Sequence, residues 1–266
     1  PGQYRALFAA KQQQTLALFA GLNLPAAEAF ESPAEFYRMR TEFRLWHDDS
    51  KCFYAMFSPE DRKTPVRVDD FPVASEAINQ LMPGLLAELN ASELLRQRCF
   101  QVEFLGTLSG EMLITLIYHH RLDDAWIAAA TALAEKLNCQ LIGRSRKQKL
   151  VIGNDYVTEQ LVADGREFSY VQYEGSFTQP NAIVNQQMIS WACRQAARIA
   201  GGDLLELYCG NGNFTLPLAK YFEQVLATEI SKVSIKALQQ NCQLNNIGNI
   251  EVARMSAEEV SQAIRG

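Results

Sequence analysis

The sequence predicts an α/β chain, with an α+β unit over residues 1–172 followed, over 173–266, by the first half of a doubly wound parallel sheet. Three observations carry this. Residues 38–45 alternate charge and apolarity with period two, and similar strand segments interleave with helical ones up to about residue 172. After Gly201-Gly202 the order becomes strand, helix, strand, helix, strand, the Rossmann-like arrangement. The first of those strands ends in a Gly-Asn-Gly turn, where such a sheet places its ligand. A length of 266 residues suits two domains.

Tyr4, Leu7, Phe8, Leu18 and Phe19 recur at helical spacing, which predicts a leading helix before the breaks at Gly21 and Pro25. In FYRMRTEFRLWHD (36–48), Met39, Phe43 and Leu45 fall on odd positions and Arg38, Arg40, Glu42 and Arg44 on even ones. That is a half-buried strand whose other face carries three guanidinium groups and a single carboxylate. Residues 53–57, 66–68, 100–105 and 112–118 add strands, and 75–90 and 124–137 read as helices. The GTLSGE turn (106–111) suggests antiparallel pairing, and LIGRSRKQKL (141–150) reads as a basic loop between strands. SFTQPN (176–181) is turn-like and leads into a helix whose Val184, Met188, Trp191 and Ile199 lie near one face. Then come a strand at 203–208, the CGNGN turn, a helix at 214–222, a strand at 224–229, a helix capped by Ser231 and a third strand at 249–255.

Composition narrows the function classes. With 48% hydrophobic and 21% charged residues the chain belongs with folded proteins, not disordered ones. No run of 18 apolar residues exists and the first twenty residues mix charge and Gln into the apolar pattern, so a soluble, cytoplasmic protein with no membrane partner is expected. The first residue is Pro rather than Met, and the chain is expected to be a piece of something longer. A net charge of −5 excludes coating nucleic acid by bulk positive potential, so any such site must be local. The six cysteines lie far apart with no CxxC pair, which predicts reduced, mostly buried thiols and no metal.

The strongest signal is LLELYCGNGNF (204–214) followed by VLATEI (225–230). Gly210 and Gly212 permit a tight turn and close approach of a ligand to the backbone. Glu229, seventeen residues past Gly212, ends the next strand, where an acid can take both hydroxyls of a ribose. A dinucleotide site wants a third Gly and a helix N-terminus free of negative charge, but position 215 is Thr and Glu206 stands four residues before Gly210. A carboxylate there repels phosphate and suits a cationic amino-acid tail and sulfonium, which describes S-adenosylmethionine. The plain alternative is a tight strand–helix turn with no ligand.

LLELYCGNGNF, FTQPN, the Ala-Thr-Glu at 227–229 and YRMRTEFRLWHD together resemble the tRNA (uracil-5-)-methyltransferases of the TrmA type, over nearly the whole chain. The resemblance implies an N-terminal RNA-binding domain, a methyltransferase domain, and methyl transfer from S-adenosylmethionine to C5 of the T-loop uridine of tRNA, giving 5-methyluridine, and of the matching loop in transfer-messenger RNA. Carried over, Gln179, Tyr208, Asn213 and Glu229 are cofactor-binding residues, with Gly210 and Gly212 shaping the turn. The family's chemistry also uses a Cys in a Ser-Cys-Asn-Pro motif, an Asp-Pro-Pro-Arg segment and a Glu base, none of which occurs in this sequence. Catalytic residues are therefore expected outside this chain, which ends at Gly266 after three strands. Cys209 beside the turn reads better as a packed thiol than as a nucleophile.

The resemblance also implies an RNA interface. Phe100 and His119 occupy positions suited to stacking on splayed loop bases, and Arg44 to holding a phosphate or base edge. Blander readings stay open: Phe100 alternates with Val102 and Phe104 as core residues do, His119 suits a surface, and Arg44 beside Glu42 suits a solvated face. Two further functions remain open as well, a noncatalytic RNA-binding module and a methyltransferase for ribosomal RNA.

Overall fold

The structure is a computed structural model and describes residues 2–49 and 51–265. The end residues Pro1 and Gly266, on which the expectation of a longer protein rests, lie outside it. Helix α1 (Gly2–Ala17) forms where its spacing predicts but buries none of its side chains. Strands β1 (Arg40–Asp48), β2 (Lys51–Met56) and β3 (Val66–Arg67) precede helices α2 (Glu76–Ala91) and α3 (Glu93–Arg96), and β4 (Cys99–Gly106), β5 (Met112–Tyr118), α4 (Asp124–Leu137), β6 (Gln140–Ser145) and β7 (Gln148–Ile152) follow. They form one seven-stranded sheet in the order β3-β2-β1-β4-β5-β6-β7. Every pair is antiparallel except β5 and β6, which α4 joins by a crossover.

The helices cover one face of that sheet. Ser75 caps α2 by accepting from Ile78 N, and Ile78, Met82, Leu85 and Leu89, spaced four, three and four apart, face the core with Phe43, Tyr54, Val102 and Phe104. Asp123 caps α4 by accepting from Trp126 N at 3.0 Å. The buried Trp126 ring lies directly on Gly143 of β6, where any Cβ would run into it, so the strand carries a glycine at that point.

Strands β8 (Tyr156–Ala163) and β9 (Arg166–Tyr173) form a hairpin that the sequence reading missed. Its turn is Asp164-Gly165, both with positive φ, and Asp-Gly between alternating strands is a strong local hairpin signal. The chain continues through α5 (Ala182–Ala196), β10 (Asp203–Leu207), α6 (Thr215–Leu218), a 3₁₀ turn (Ala219–Tyr221), β11 (Gln224–Thr228), α7 (Lys232–Leu244), β12 (Ile250–Ala253) and α8 (Ala257–Arg265). Strands β10, β11 and β12 are parallel in that order, as the alternation after Gly202 predicts.

The hairpin belongs to two cores. Val157 packs with Leu105, Leu113 and Ile142 on the sheet face opposite the helices. Leu161, Phe168 and Tyr170 pack with Ile189 of α5, Ala227 of β11 and Leu238 of α7. Along β9, α7 takes the place of a neighbouring strand. Asn241 Oδ1 accepts from Val171 N at 2.7 Å, while Asn245 accepts from Ser169 N at 2.9 Å and donates to Ser169 O at 2.8 Å.

Two expectations need correction. The apolar face read on α5 is not its buried face: Met188, Trp191 and Ile199 are 37%, 42% and 71% exposed, and Ala182, Asn185, Ile189, Cys193 and Ala196 point inward instead. Mostly small and polar residues fit against β8 of the hairpin and α6, whereas Trp191 lies outside and donates to Glu28 at 3.0 Å. Residues 141–150 are a hairpin of β6 and β7 rather than a basic loop, with Arg144 and Lys149 directly opposite each other. Both reach Glu174. Burial pushes the Glu174 carboxyl up, but the two cations outweigh it and hold the group below its ordinary value.

Candidate functional site

Beyond β10 the backbone takes a tight path, with φ of 56° at Tyr208, 58° at Gly210 and 88° at Gly212. A Cβ on Gly212 would collide with Leu216 and Leu238, so the close seating of α6 and α7 against the turn requires its absence. Asn241 Nδ2 donates to Asn211 O at 2.9 Å and ties α7 to the turn. At the end of β11 the Glu229 carboxylate accepts from Gly210 N at 3.1 Å, Ile230 N at 2.7 Å and Ser231 N at 2.8 Å. The predicted acid therefore fastens the predicted turn.

A cavity of about 100 Å³ lies over the turn, ample for an ammonium group and too small for a whole nucleoside. Gln179, Tyr208, Gly210 and Asn213 all line it. Gly212 and Glu229 are not on its wall, Glu229 standing behind Gly210 instead. Gln179 is brought there because its loop is pinned to the start of the large sheet: Met39 N donates to Pro180 O at 2.7 Å and the Arg40 guanidinium to Ser176 O at 2.6 Å. Asn213 exchanges hydrogen bonds of 2.9 and 2.7 Å with Asn185 of α5, which fixes the orientation of both amides.

Two carboxyls in this cavity are short of solvent. Glu206 Oε2 is buried with no hydrogen-bond partner among the described residues, and burial pushes the group up to about 7 against the lowering influence of the Thr215 hydroxyl. Glu159 on β8, which sequence reasoning missed, is also pushed to about 7 by burial, although Leu108 N and Gln160 N donate to it at 2.8 and 2.9 Å. Asn185 was missed too. The signal in each case was a polar residue in an apolar pattern. The cavity thus offers latent negative charge to a cation.

No cysteine here is activated. Burial pushes the Cys209 thiol up to about 12, with Glu206 and Glu229 adding to the shift, and raises the other five as well. All six are free, four of them fully buried. Among the described residues no cluster of His, Cys, Asp or Glu is placed to hold a metal ion, and no helix is long and apolar enough to cross a membrane.

Arg44, Phe100 and His119 come together on the open face of the large sheet. A β-bulge between Cys99 and Gln101 gives Cys99 the inward slot beside Val102 and Phe104 and turns Phe100 outward. The Phe100 and His119 rings stack at 3.8 Å between centroids and 9° between planes, with the Arg44 guanidinium 5.6 Å from the Phe100 centroid. Glu42, the carboxylate beside Arg44 in sequence, accepts from Gln101 at 3.3 Å instead.

Known proteins share both the sequence and the fold. The model of the family described as tRNA (Uracil-5-)-methyltransferase matches residues 3–266. A protein of Acinetobacter baylyi named tRNA/tmRNA (uracil-C(5))-methyltransferase is 55% identical over 266 residues, covering 99% of this chain and 73% of that protein. One of the same name from Neisseria meningitidis serogroup B is 56% identical over 259 residues, covering 96% and 71%. In fold, the chain is similar to the crystal structure of Pyrococcus abyssi tRNA (uracil-54, C5)-methyltransferase in complex with S-adenosyl-L-homocysteine, with a TM-score of 0.61 and 16% identity over 83% of this chain and 56% of that one. A match from residue 3 onward and relatives more than half identical lead to one assignment: the chain belongs to the tRNA (uracil-5-)-methyltransferase family.

Proposed function

We propose that this protein methylates C5 of uracil in tRNA and transfer-messenger RNA, using S-adenosylmethionine, with the T loop as the target. The names of the relatives support the reaction and the RNA class. The observation that carries the cofactor assignment is Glu206, whose Oε2 is buried with no hydrogen-bond partner among the described residues, beside a cavity ringed by hydrogen-bonding side chains. That site fits a cationic amino-acid end and repels a pyrophosphate. When bound, S-adenosylmethionine supplies an electrophilic methyl group. Glu206 and Glu159 attract its ammonium, Gln179, Tyr208 and Asn213 offer directed hydrogen bonds, and Glu229 takes the ribose on the other side of Gly210. The six thiols of this chain, all raised by burial, take no part, so its residues bind and orient. On this reading residues 1–172 form the RNA-recognition domain and 173–266 the methyltransferase part, with Arg44, Phe100 and His119 holding unstacked loop bases.

The cofactor reading predicts a pH dependence with a definite sign. The Glu206 proton is held up to about pH 7 in the free protein, and a cation favours its release. The ligand's α-amino group stays charged to about pH 8. Affinity for S-adenosylmethionine should therefore rise between pH 6 and 7.5 by about tenfold, with proton release visible in calorimetry across two buffers. Stability of the free protein should fall over pH 4.5 to 7, since the folded state holds the proton more tightly than the unfolded one. Glu206→Gln should flatten both profiles, leaving the part that belongs to Glu159. An affinity independent of pH would remove the cation from this cavity.

The RNA reading is tested by Phe100→Ala. Base stacking on an aromatic ring is worth about 1–3 kcal/mol, so affinity for a T-arm hairpin RNA should drop about 5- to 150-fold with cofactor affinity unchanged. Equal RNA affinity of variant and native protein would make the Phe100–His119 stack an ordinary surface pair.

A further inference from the structure

Two clefts of about 670 Å³ each share the Phe100–His119 stack as a wall. One holds Arg44, the Trp46–Phe57 edge-to-face pair at 6.0 Å between centroids, and Arg62. The other runs between the end of β5 and the β6–β7 turn, past Arg121, Arg146 and Lys147, and no Asp or Glu lines it. We propose that this second cleft seats the sugar–phosphate backbone of the RNA strand whose bases stack on Phe100 and His119. The proposal rests on the RNA reading above and adds where the strand's phosphates lie.

The charge bookkeeping of the β6–β7 hairpin decides which cations are available. Arg144 makes a two-pronged pair with Glu174, and Lys149 is shared between Asp155 at 2.7 Å and Glu174 at 3.4 Å. Arg121, Arg146 and Lys147 have no carboxylate within ion-pair distance among the described residues. The four basic residues of 144–149 thus separate into two that hold the fold together and two that face the cleft. His120 Nδ1, also on the cleft wall, is buried with no hydrogen-bond partner among the described residues. In a nucleic-acid strand bases and phosphates project to opposite sides of the ribose, and single-strand sites combine a stacking platform with a cationic groove. Both clefts carry cations unpaired among the described residues, but the one past Arg121, Arg146 and Lys147 has three of them around a backbone turn, whereas the other sets Arg44 and Arg62 beside the Trp46–Phe57 aromatic pair, and that division matches the layout. The remaining cleft, with Trp46 and Phe57, then lies on the base side.

The test is the salt dependence of binding to a T-arm hairpin RNA, measured by fluorescence anisotropy. Arg146→Ala/Lys147→Ala should reduce the slope of log affinity against log salt by about 1.4, two single-strand phosphate contacts, and weaken binding at low salt by about tenfold or more. Arg121→Gln should reduce the slope by about 0.7. Lys149→Ala should leave it unchanged, and Phe100→Ala should weaken binding at constant slope. Native binding with an unchanged slope in both Arg146→Ala/Lys147→Ala and Arg121→Gln overturns the cleft assignment alone. Native protein that binds no RNA overturns the RNA reading beneath it.

Discussion

Gly212→Ala should lower the melting temperature by about 5–15 °C and abolish measurable cofactor binding at temperatures where the native protein binds. Two costs add. The residue sits at φ 88°, which costs an L-residue about 1–2 kcal/mol, and the new methyl meets Leu216 and Leu238, overpacking worth about 1–3 kcal/mol more. A total of about 2–5 kcal/mol is a large share of the 5–15 kcal/mol that stabilises a typical domain. Gly210→Ala is the control, since nothing lies within 4 Å of a Cβ there and only the backbone strain remains. Thermal unfolding that ranks Gly210→Ala as the more damaging would contradict the packing assigned to the turn.

Glu229→Ala should weaken S-adenosylmethionine binding by about 10- to 150-fold, the loss of charge-assisted hydrogen bonds worth about 1.5–3 kcal/mol. It should also destabilise the free protein, because Gly210 N, Ile230 N and Ser231 N lose the acceptor they share. Glu229→Gln separates the roles, as an amide oxygen still accepts from backbone N–H while the charge is gone. Calorimetry showing native affinity in Glu229→Ala would end the ribose assignment.

Much of this was legible in the order of residues, and what was not shares a cause. The parallel strands read correctly because short apolar runs, a Gly-rich turn and a Ser cap are local signals. The outward turn of Phe100 was not local: alternation with Val102 and Phe104 pointed it inward, and only the register against β5, with its bulge at Cys99, reverses that. The basic segment failed likewise, since Arg144 meets its carboxylate thirty residues away at Glu174. On α5 the largest apolar side chains marked the wrong face, because the narrow space against the neighbouring helices and sheet admits Ala182, Cys193 and Ala196 and leaves Trp191 outside. Glu206 was legible as an acid near the turn, but its lack of a partner is a property of the packed cavity.

The β8–β9 hairpin is gripped along both edges, since Thr158 and Val171 stand opposite each other in its register. Thr158 and Glu159 exchange hydrogen bonds with Leu108, Ser109 and Glu111 of the β4–β5 turn, and Ser169 and Val171 are held by the amides of α7. It therefore works as a splint instead of a hinge. The sheet that carries Arg44, Phe100 and His119 and the turn at Gly210 are thereby tied through one hairpin by hydrogen bonds formed at folding, so on the proposed function the RNA loop and the methyl donor need no closing motion of these two parts to be brought into a fixed relation.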